Sequence, residues 1–331
     1  MVKMENLSSA LIETTDNNTT SLSRIYNEQT DVKEIAIFIL VGHFIIFGNV
    51  TSILVFWRRR HFLKRSTILL INLTAADLLV GLVVIFTILG DFIPKDDNSS
   101  IKDVHFKIIV PFDAFAGMSS IFFLAAISLE KSHAILRPLR HVAMPTSFYV
   151  IGVCSVWFLT GFLSGLLLLS LCGFLNNHVT DIVISSFIGL ALVITCVSYA
   201  TIWVKFSRRI FVPHNTATEM NKKLVKTLFI VTVLSLISWL PFHIIFTLLQ
   251  LFPNIPISDS TVIITRLLQF ANSLLNPIVY NLRMPEFRKA LMNLICSCAI
   301  RDRPKANIRL VSLKSSSGQD DVSLSKVHAM K

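Results

Sequence analysis

The stretch TILLINLTAADLLVGLVVIFTILGDF, residues 67–92, decides the fold. It is apolar over more than the roughly 20 residues that a helix needs to cross a bilayer. Well inside it stands one carboxylate, Asp77. An ionisable group kept within such a run usually faces the interior of a helix bundle and has a function. The stretch therefore predicts a membrane-spanning helix that packs against others.

The whole chain has the same apolar character. Of its 331 residues, 53% are hydrophobic and 15% are charged, with a mean hydropathy of +0.65. A soluble domain carries about 25% charged residues, so this composition indicates a membrane protein. The net charge of +11 does not indicate nucleic-acid binding. The basic residues lie in short segments between apolar runs, where they orient the spans and contact anionic lipid.

Seven apolar runs follow one another along the chain: roughly 34–57, 67–92, 106–130, 147–171, 181–204, 225–251 and 260–282. Lipid requires that each backbone polar group be hydrogen-bonded within the segment. We therefore expect an all-α membrane protein, a bundle of seven transmembrane helices. A transporter is disfavoured, because the internal repeats and interrupted runs typical of transporters are not evident in the sequence.

The loops predict the orientation of the bundle. If Lys131 is counted with them, 24 of the 31 Lys and Arg residues lie on one side of the membrane and six on the other. Since basic residues stay inside, we expect a plasma-membrane protein with its N-terminus outside and its C-terminus in the cytoplasm. Sequons on the predicted outside indicate N-glycosylation at Asn6, Asn17, Asn18 and Asn98.

The two ends of the chain flank this bundle of residues 34–282. Residues 1–33 form an extracellular glycosylated tail in this interpretation, and residues 299–331 a disordered cytoplasmic tail. Residues 283–298 are expected to form a short amphipathic eighth helix on the membrane surface, with an apolar face that begins at Phe287. Cys296 and Cys298 follow this face and are predicted palmitoylation sites, with two unmodified thiols as the alternative.

Five ionisable features stand out in or at the edge of the predicted spans: Asp77, Asp113, the Glu130–Lys131 pair, His243 and Arg266. Asp113 and Lys131 are separated by five helical turns, so they share one helix face about 27 Å apart. One then faces an outer cavity and the other an inner cavity. This spacing is typical of a device that senses a signal on one side of the membrane and reports it on the other.

The sixth and seventh runs each carry a stripe at helical spacing. Trp239, Phe242, His243 and Phe246 follow one face of the sixth run, where Pro241 introduces a kink. This indicates a hinge lined by aromatic rings, and simple packing of these rings is the alternative. The seventh run carries a second stripe, formed by Arg266, Phe270, Ser273, Pro277 and Tyr280.

Over roughly residues 34–298, the chain resembles the rhodopsin-like (class A) G-protein-coupled receptors. The matching motifs are GNV with Asn49, NLTAAD with Asp77, LEKSHAILRPL after the third run, Trp157, SWLPF and NSLLNPIVY. The resemblance implies a receptor that is not an enzyme. Its implied partners are an extracellular small-molecule ligand, a heterotrimeric G protein, arrestin and membrane lipid, without nucleic acid.

The resemblance also assigns roles to residues within the bundle. It implies an allosteric sodium pocket, the only cofactor site expected, formed by Asp77, Ser120, Asn272, Ser273 and Asn276. One carboxylate with hydroxyl and amide oxygens suits a hard cation, and a structural hydrogen-bond network is the alternative. Trp239 resembles the family's switch residue below the ligand. Tyr199 and Tyr280 match the tyrosines that rearrange as the inner cavity opens.

Glu130-Lys131-Ser132 stands where the family usually has Asp/Glu-Arg-Tyr. The resemblance implies that the acid holds the base at rest and that the released base contacts the G protein. Lysine keeps the charge of arginine but not its planar fork. Together with Ala191 in place of a proline and Ser235 in place of a phenylalanine, it leaves an alternative open: a receptor-like decoy or partner subunit with weakened or absent coupling.

The expected ligand is a biogenic amine. Asp113 matches the position that pairs with the ammonium of amines, and aromatic rings could enclose it by cation–π attraction. Against this interpretation, Phe270 replaces a tyrosine and Arg266 could neutralise Asp113. A short peptide or a carboxylate bound by Arg266 is the alternative. The predicted ligand-binding residues are Asp113, Trp239, Phe242, His243, Phe246, Arg266 and Phe270.

Overall fold

The structure is a computed structural model that describes residues 32–58, 67–91, 100–207, 216–252, 255–283 and 287–294. All secondary structure in these ranges is helical. The helices are α1 Val32–Arg58, α2 Thr67–Asp91, α3 Ser100–Leu136, α4 Pro138–Ala143, α5 Thr146–Leu171, α6 Asn177–Ser207, α7 Thr216–Leu251, α8 Asp259–Arg283 and α9, residues 287–294. Predicted modification sites outside the described residues are Asn6, Asn17, Asn18, Asn98, Cys296 and Cys298.

Seven of these helices are long and apolar enough to cross a membrane: α1, α2, α3, α5, α6, α7 and α8. The prediction of an all-α, seven-transmembrane bundle is confirmed. The short amphipathic helix after the bundle is confirmed as well. In α9, Phe287 is buried while Arg288 and Lys289 are exposed, so its apolar face packs against the bundle.

The helices extend beyond the apolar runs that predicted them. α3 covers Ser100–Leu136 where the run suggested 106–130, and α6 begins at Asn177 rather than at residue 181. An apolar run marks the part of a helix that lies in lipid, and polar residues continue the same backbone hydrogen bonding beyond it. The short helix α4 was not predicted; it starts at Pro138, whose fixed φ suits the first turn.

α3 is the most deeply buried of the spanning helices and packs against α2, α5 and α6. Fully buried side chains such as Met118 and Phe123 fill the space between them. Apolar side chains such as Phe47 and Phe158 are exposed on the outside of the bundle. A membrane-spanning bundle shows this distribution, because lipid tails are as apolar as the side chains that face them.

Two local features join α5 to its neighbours. The indole Nε1 of Trp157 donates a hydrogen bond to Asn72 Oδ1 of α2 at 2.9 Å. The connection from α5 to α6 spans only residues 172–176. Its second residue, Gly173, has a φ of +82°, a conformation in which a side chain would be strained. The amide N–H of Phe174 donates to the carbonyl of Leu169, which closes the helix end.

Candidate functional site

A buried polar cluster around Asp77 joins α2, α3 and α8. Asp77 is fully buried, and both oxygens of its carboxylate accept hydrogen bonds. Ser120 and Ser273 donate to Oδ1 at 2.7 and 2.8 Å, and Asn276 Nδ2 donates to Oδ2 at 2.7 Å. Asn272 Nδ2 donates to Ser120 Oγ at 3.3 Å. The structure therefore brings together all five residues predicted to form a sodium pocket.

Asn49 of α1 lies beside this cluster and contacts the backbone of Ser273. Pro277 has no N–H, so the carbonyl of Ser273, four residues earlier, lacks its usual helical donor. Asn49 Nδ2 supplies a donor to that carbonyl at 3.1 Å, and it also donates to Ile45 O at 2.9 Å. Asn49 Oδ1 is buried and accepts no hydrogen bond from the described residues. Asn49 therefore links α1 to the backbone of α8 beside the cluster.

Towards one end of the bundle, named here the Arg266 end, two opposite charges meet. Arg266 Nη2 of α8 lies 3.8 Å from Asp113 Oδ2 of α3, and each side chain is only 12% exposed. The guanidinium of Arg266 lies over the ring of Phe270, 5.5 Å from its centroid. Phe38 of α1 packs edge-on against Phe270 at 6.0 Å. The two charges therefore offset one another inside a largely apolar, aromatic setting.

The aromatic stripe of α7 lies in the same half of the bundle. Trp239 packs edge-on against Phe242 with ring centroids 6.4 Å apart, and Phe242 stacks on Phe246 at 6.2 Å. All three rings are buried. Pro241 lies inside α7 within this stripe, as the sequence predicted. The three rings form one continuous column along the helix.

The Trp239 ring rests against α3 at a residue without a side chain. A Cβ placed on Gly117 would lie 3.2 Å from Trp239 Cη2 and 3.3 Å from Gln269 Nε2. Gly117 is one helical turn from Asp113, and Gln269 is close to one turn from Arg266. Gln269 is buried and was not among the predicted site residues. Glycine at this position thus allows the indole and the amide to approach the α3 backbone.

The other polar side chains near this column are turned towards α6 and towards each other. His243 is only partly buried, and its Nε2 would lie 3.2 Å from a Cβ placed on Gly189 of α6. The hydroxyls of Ser185 and Thr247 are hydrogen-bonded to each other at 2.9 Å. Ser186 donates back to Ile182 O. The hydroxyls of Ser185 and Ser186 therefore each make a hydrogen bond within the protein.

At the opposite end of the bundle, named here the Lys131 end, Glu130 has two partners. Lys131 Nζ lies 2.8 Å from Glu130 Oε2, as the acid–base pair in the sequence predicted. His141 Nε2, from α4, lies 2.8 Å from Glu130 Oε1. The hydroxyl of Tyr149 lies 3.1 Å from the same His141 nitrogen. Both carboxylate oxygens are thus occupied, each by a different residue.

Tyr280 packs at the Lys131 end against residues from two other helices. Its ring centroid lies 5.7 Å from that of Phe56 in α1 and 5.9 Å from that of Phe287 in α9. Tyr199 of α6 lies elsewhere, in a small apolar cluster with Ile202 and Ile135. The two tyrosines expected to rearrange therefore belong to separate clusters in this structure.

Sequence reasoning missed His141, Tyr149 and Gln269. His141 lies in the basic segment RPLRH, which was interpreted only as an orientation signal. Tyr149 and Gln269 are single polar residues in apolar runs, without a motif of their own. A useful signal was available at Glu130, since a buried carboxylate requires a donor for each oxygen. A search for that second donor would have directed attention to the segment after α3.

Comparisons with known proteins agree with this geometry. Residues 48–280 match the family model of the 7 transmembrane receptor (rhodopsin family). The galanin receptor 2a of Danio rerio is 30% identical over 66% of this chain and 67% of the relative. The QRFP-like peptide receptor of Branchiostoma floridae is 23% identical over 77% of each chain. The human histamine H2 receptor is 27% identical over 86% of this chain and 83% of the relative.

A bundle of seven spanning helices with a polar centre and a charged site towards each end defines a membrane signalling receptor. The chain belongs to the rhodopsin family of seven-transmembrane receptors, the class A G-protein-coupled receptors. It is a multi-pass membrane protein whose family implies an extracellular ligand and a heterotrimeric G protein as partners. The family comprises signalling receptors and not enzymes. The relatives are named after different ligands, so they leave the ligand class open.

Proposed function

We propose that this receptor resides in the plasma membrane with the Arg266 end outside and the Lys131 end in the cytoplasm. The distribution of Lys and Arg supports this orientation, because 24 of the 31 fall on the side of the Lys131 end. The ligand then binds near Asp113 and Arg266, while the G protein and arrestin bind at the Lys131 end.

We further propose that the ligand carries both a cationic and an anionic group, as a short peptide does. The observation that supports this proposal is the Asp113–Arg266 pair, with 3.8 Å between its charged atoms and 12% exposure of each side chain. A buried charge is costly unless it is paired. A ligand with only an ammonium would compete with Arg266 for Asp113 and would offer the guanidinium no charge in return. A ligand with both charges satisfies both residues at once.

A simple amine is the second candidate, and Asp113 favours it. An ammonium beside Asp113 would lie in a site that also contains the buried rings of Trp239 and Phe242, so cation–π attraction would support binding. A catechol amine has less support, because Ser186 is exposed and donates to its own helix, so the two serines do not form a pair turned into the bundle. The amine must also compete with Arg266 for the carboxylate.

Two variants distinguish these ligand classes. Cells that express wild type, Asp113→Asn or Arg266→Gln are tested with panels of amines, carboxylates and short peptides, using sensors for every G-protein class. A ligand with both charges should lose potency in both variants. An amine should lose potency only in Asp113→Asn and gain potency in Arg266→Gln. A ligand that acts equally on all three receptors would contradict the proposed site.

We also propose that the Asp77 cluster binds sodium as an allosteric ion. The oxygens of Asp77, Ser120 and Ser273 are hard ligands of the kind that sodium prefers, and the single carboxylate matches the single charge of the ion. The side chains of Asn272 and Asn276 lie in the same cluster, and their amide oxygens would add further ligands. The ion would neutralise a carboxylate that is fully buried and would link α2, α3 and α8.

A further inference from the structure

A lysine of α6 reaches the last carbonyl of α3 at the Lys131 end of the bundle. Lys205 lies in the last turn of α6, and its Nζ donates a hydrogen bond to Leu136 O at 3.0 Å. The two residues are 69 positions apart in the sequence. The Lys205 side chain is partly buried. This contact, named here the Lys205 contact, therefore joins the ends of two separate spanning helices.

The local backbone explains why the carbonyl of Leu136 accepts from outside its own helix. The last carbonyls of a helix have no donor further along the same helix. Arg137 has a φ of −133° and a ψ of 65°, so the chain leaves the helical conformation directly after Leu136. The next residue, Pro138, has no N–H to donate. Lys205 supplies a donor from α6 at this helix end.

The positive charge of Lys205 also suits this position. Successive spans cross the membrane in opposite directions, so α3 and α6, the third and fifth spans, both end at the Lys131 end. Each helix C-terminus carries roughly half a negative charge. Two such ends that lie close together repel one another. An ammonium that belongs to one end and contacts the other offsets both.

A small apolar cluster lies beside the Lys205 contact. Tyr199 and Ile202 of α6 are buried and pack with Ile135 of α3. Ile135 is the neighbour of Leu136, and Ile202 is about one helical turn from Lys205. Tyr199 is one of the two tyrosines expected to rearrange as the inner cavity opens. The hydrogen bond is therefore placed where it keeps α6, and with it Tyr199, against the end of α3.

We propose that Lys205 is a positioning residue that holds the ends of α3 and α6 together and thereby restrains coupling. Any movement of α6 away from α3 must break the hydrogen bond to Leu136 O and separate the two helix ends from their shared cation. It must also take Tyr199 out of its cluster. The restraint on coupling rests on the proposed function, whereas the hold between the two helices does not.

The first test measures the contribution of the contact to stability. Lys205→Met keeps much of the length of the side chain and removes its ammonium, and Lys205→Arg keeps a charged donor. The thermal midpoint of the purified receptor should fall by about 2 °C in Lys205→Met, the effect of losing one charged hydrogen bond. Lys205→Arg should retain most of the midpoint. A midpoint unchanged in Lys205→Met, or lowered equally in both variants, would overturn the proposal.

Arg288→Met is the matched control for the loss of one positive charge. Arg288 is exposed on α9, which follows the span that ends at the Lys131 end, so it lies on the same side of the membrane as Lys205. It should shift the midpoint by less than about 1 °C, as exposed substitutions usually do. A loss as large as that of Lys205→Met would mean that the charge alone, and not the contact with Leu136, explains the effect, which would overturn the proposal.

The second test measures the distance between the two helices directly. Spin labels are attached to cysteines introduced at Leu129 of α3 and Val204 of α6, both exposed on the outside of the bundle, after the five native cysteines are replaced by alanine. Pulsed electron–electron resonance should show a longer and broader distance distribution in Lys205→Met. Lys205→Arg and Arg288→Met should keep the parental distribution. Identical distributions in all four receptors would refute the hold.

The third test measures basal G-protein activation per receptor at the cell surface. It should rise severalfold in Lys205→Met and stay near the wild-type level in Lys205→Arg and Arg288→Met. Unchanged or lower activation in Lys205→Met, with a longer distance between the labels, would overturn the restraint and leave the receptor assignment intact. A chain that activates no G protein in any variant would contradict the proposed function instead, and the distances would still decide whether Lys205 holds the helices.

Discussion

Replacing Ser120 with alanine tests the Asp77 cluster more sharply than replacing Asp77 itself. An asparagine at position 77 would remove the buried carboxylate itself, so a loss of sodium binding would not be separable from a change in the cluster's own hydrogen bonds. Ser120→Ala instead removes one hydroxyl that lies 2.7 Å from Asp77 Oδ1 and keeps the carboxylate. The proposed sodium site then loses one of its oxygen ligands. We expect sodium to bind more weakly to this variant.

The size of the effect follows from mass action. An ion that binds only the folded receptor, at ten times its dissociation constant, stabilises it by about 1.4 kcal/mol. For a chain of 331 residues, that raises the thermal midpoint by about 2 °C. The midpoint of purified receptor is compared in sodium chloride and in N-methylglucamine chloride at equal ionic strength. Wild type should show the shift, and Ser120→Ala should show little or none of it.

Ser119→Ala is the control for this experiment. Ser119 is as fully buried as Ser120, but it donates to Thr160 Oγ1 at 3.0 Å and makes no contact with Asp77. Its removal should cost stability equally in both salts and preserve the sodium shift. Two results would refute the reasoning: a wild-type midpoint that does not depend on sodium, or equal loss of the shift in both serine variants.

Two further predictions concern the contacts of Trp239 and Trp157. Gly117→Ala would place a Cβ 3.2 Å from Trp239 Cη2, so we expect the indole to shift and basal G-protein activation to change at least threefold. Gly165→Ala is the control, because a Cβ at Gly165 would have no atom within 4 Å, and it should leave basal activation unchanged. Equal signalling of the two variants would contradict the role of the Trp239 contact. Trp157→Phe removes the donor to Asn72 Oδ1 and should lower the free energy of unfolding by about 1.5 kcal/mol. A thermal midpoint within 1 °C of wild type, with sensitivity better than about 1 °C, would show that this hydrogen bond contributes little.

The fold could be predicted from the sequence because its physical cause is local. A run of apolar residues is visible in the one-dimensional sequence, and lipid allows few alternatives to a helix. The helix ends were less predictable. Ser100 and Leu136 lie beyond the apolar run of α3, where the backbone continues its hydrogen bonds through polar residues. The six-residue helix α4 is too short to show a recognisable helical period in the sequence.

The candidate sites were predictable to different degrees. The Asp77 cluster was found because family motifs mark its residues, and the spacing of α8 places Ser273 and Asn276 on nearby positions. From the sequence, a contact between Arg266 and Asp113 was one of two possibilities, and the other was an Asp113 that pairs only with the ammonium of a ligand. The contact of His141 with Glu130 could not be predicted by spacing at all. Only the coordinates show that the short helix α4 brings His141 back to the carboxylate of Glu130.

The three sites are connected through the elements that carry them. α3 contributes Asp113, Ser120 and Lys131, and α8 contributes Arg266 and Ser273. A ligand that separates Asp113 from Arg266 therefore acts on the two helices that also hold the Asp77 cluster together. If sodium favours the arrangement described here, any ligand that disturbs it must bind more weakly in sodium. By thermodynamic linkage, the same ligand must weaken sodium binding by the same factor.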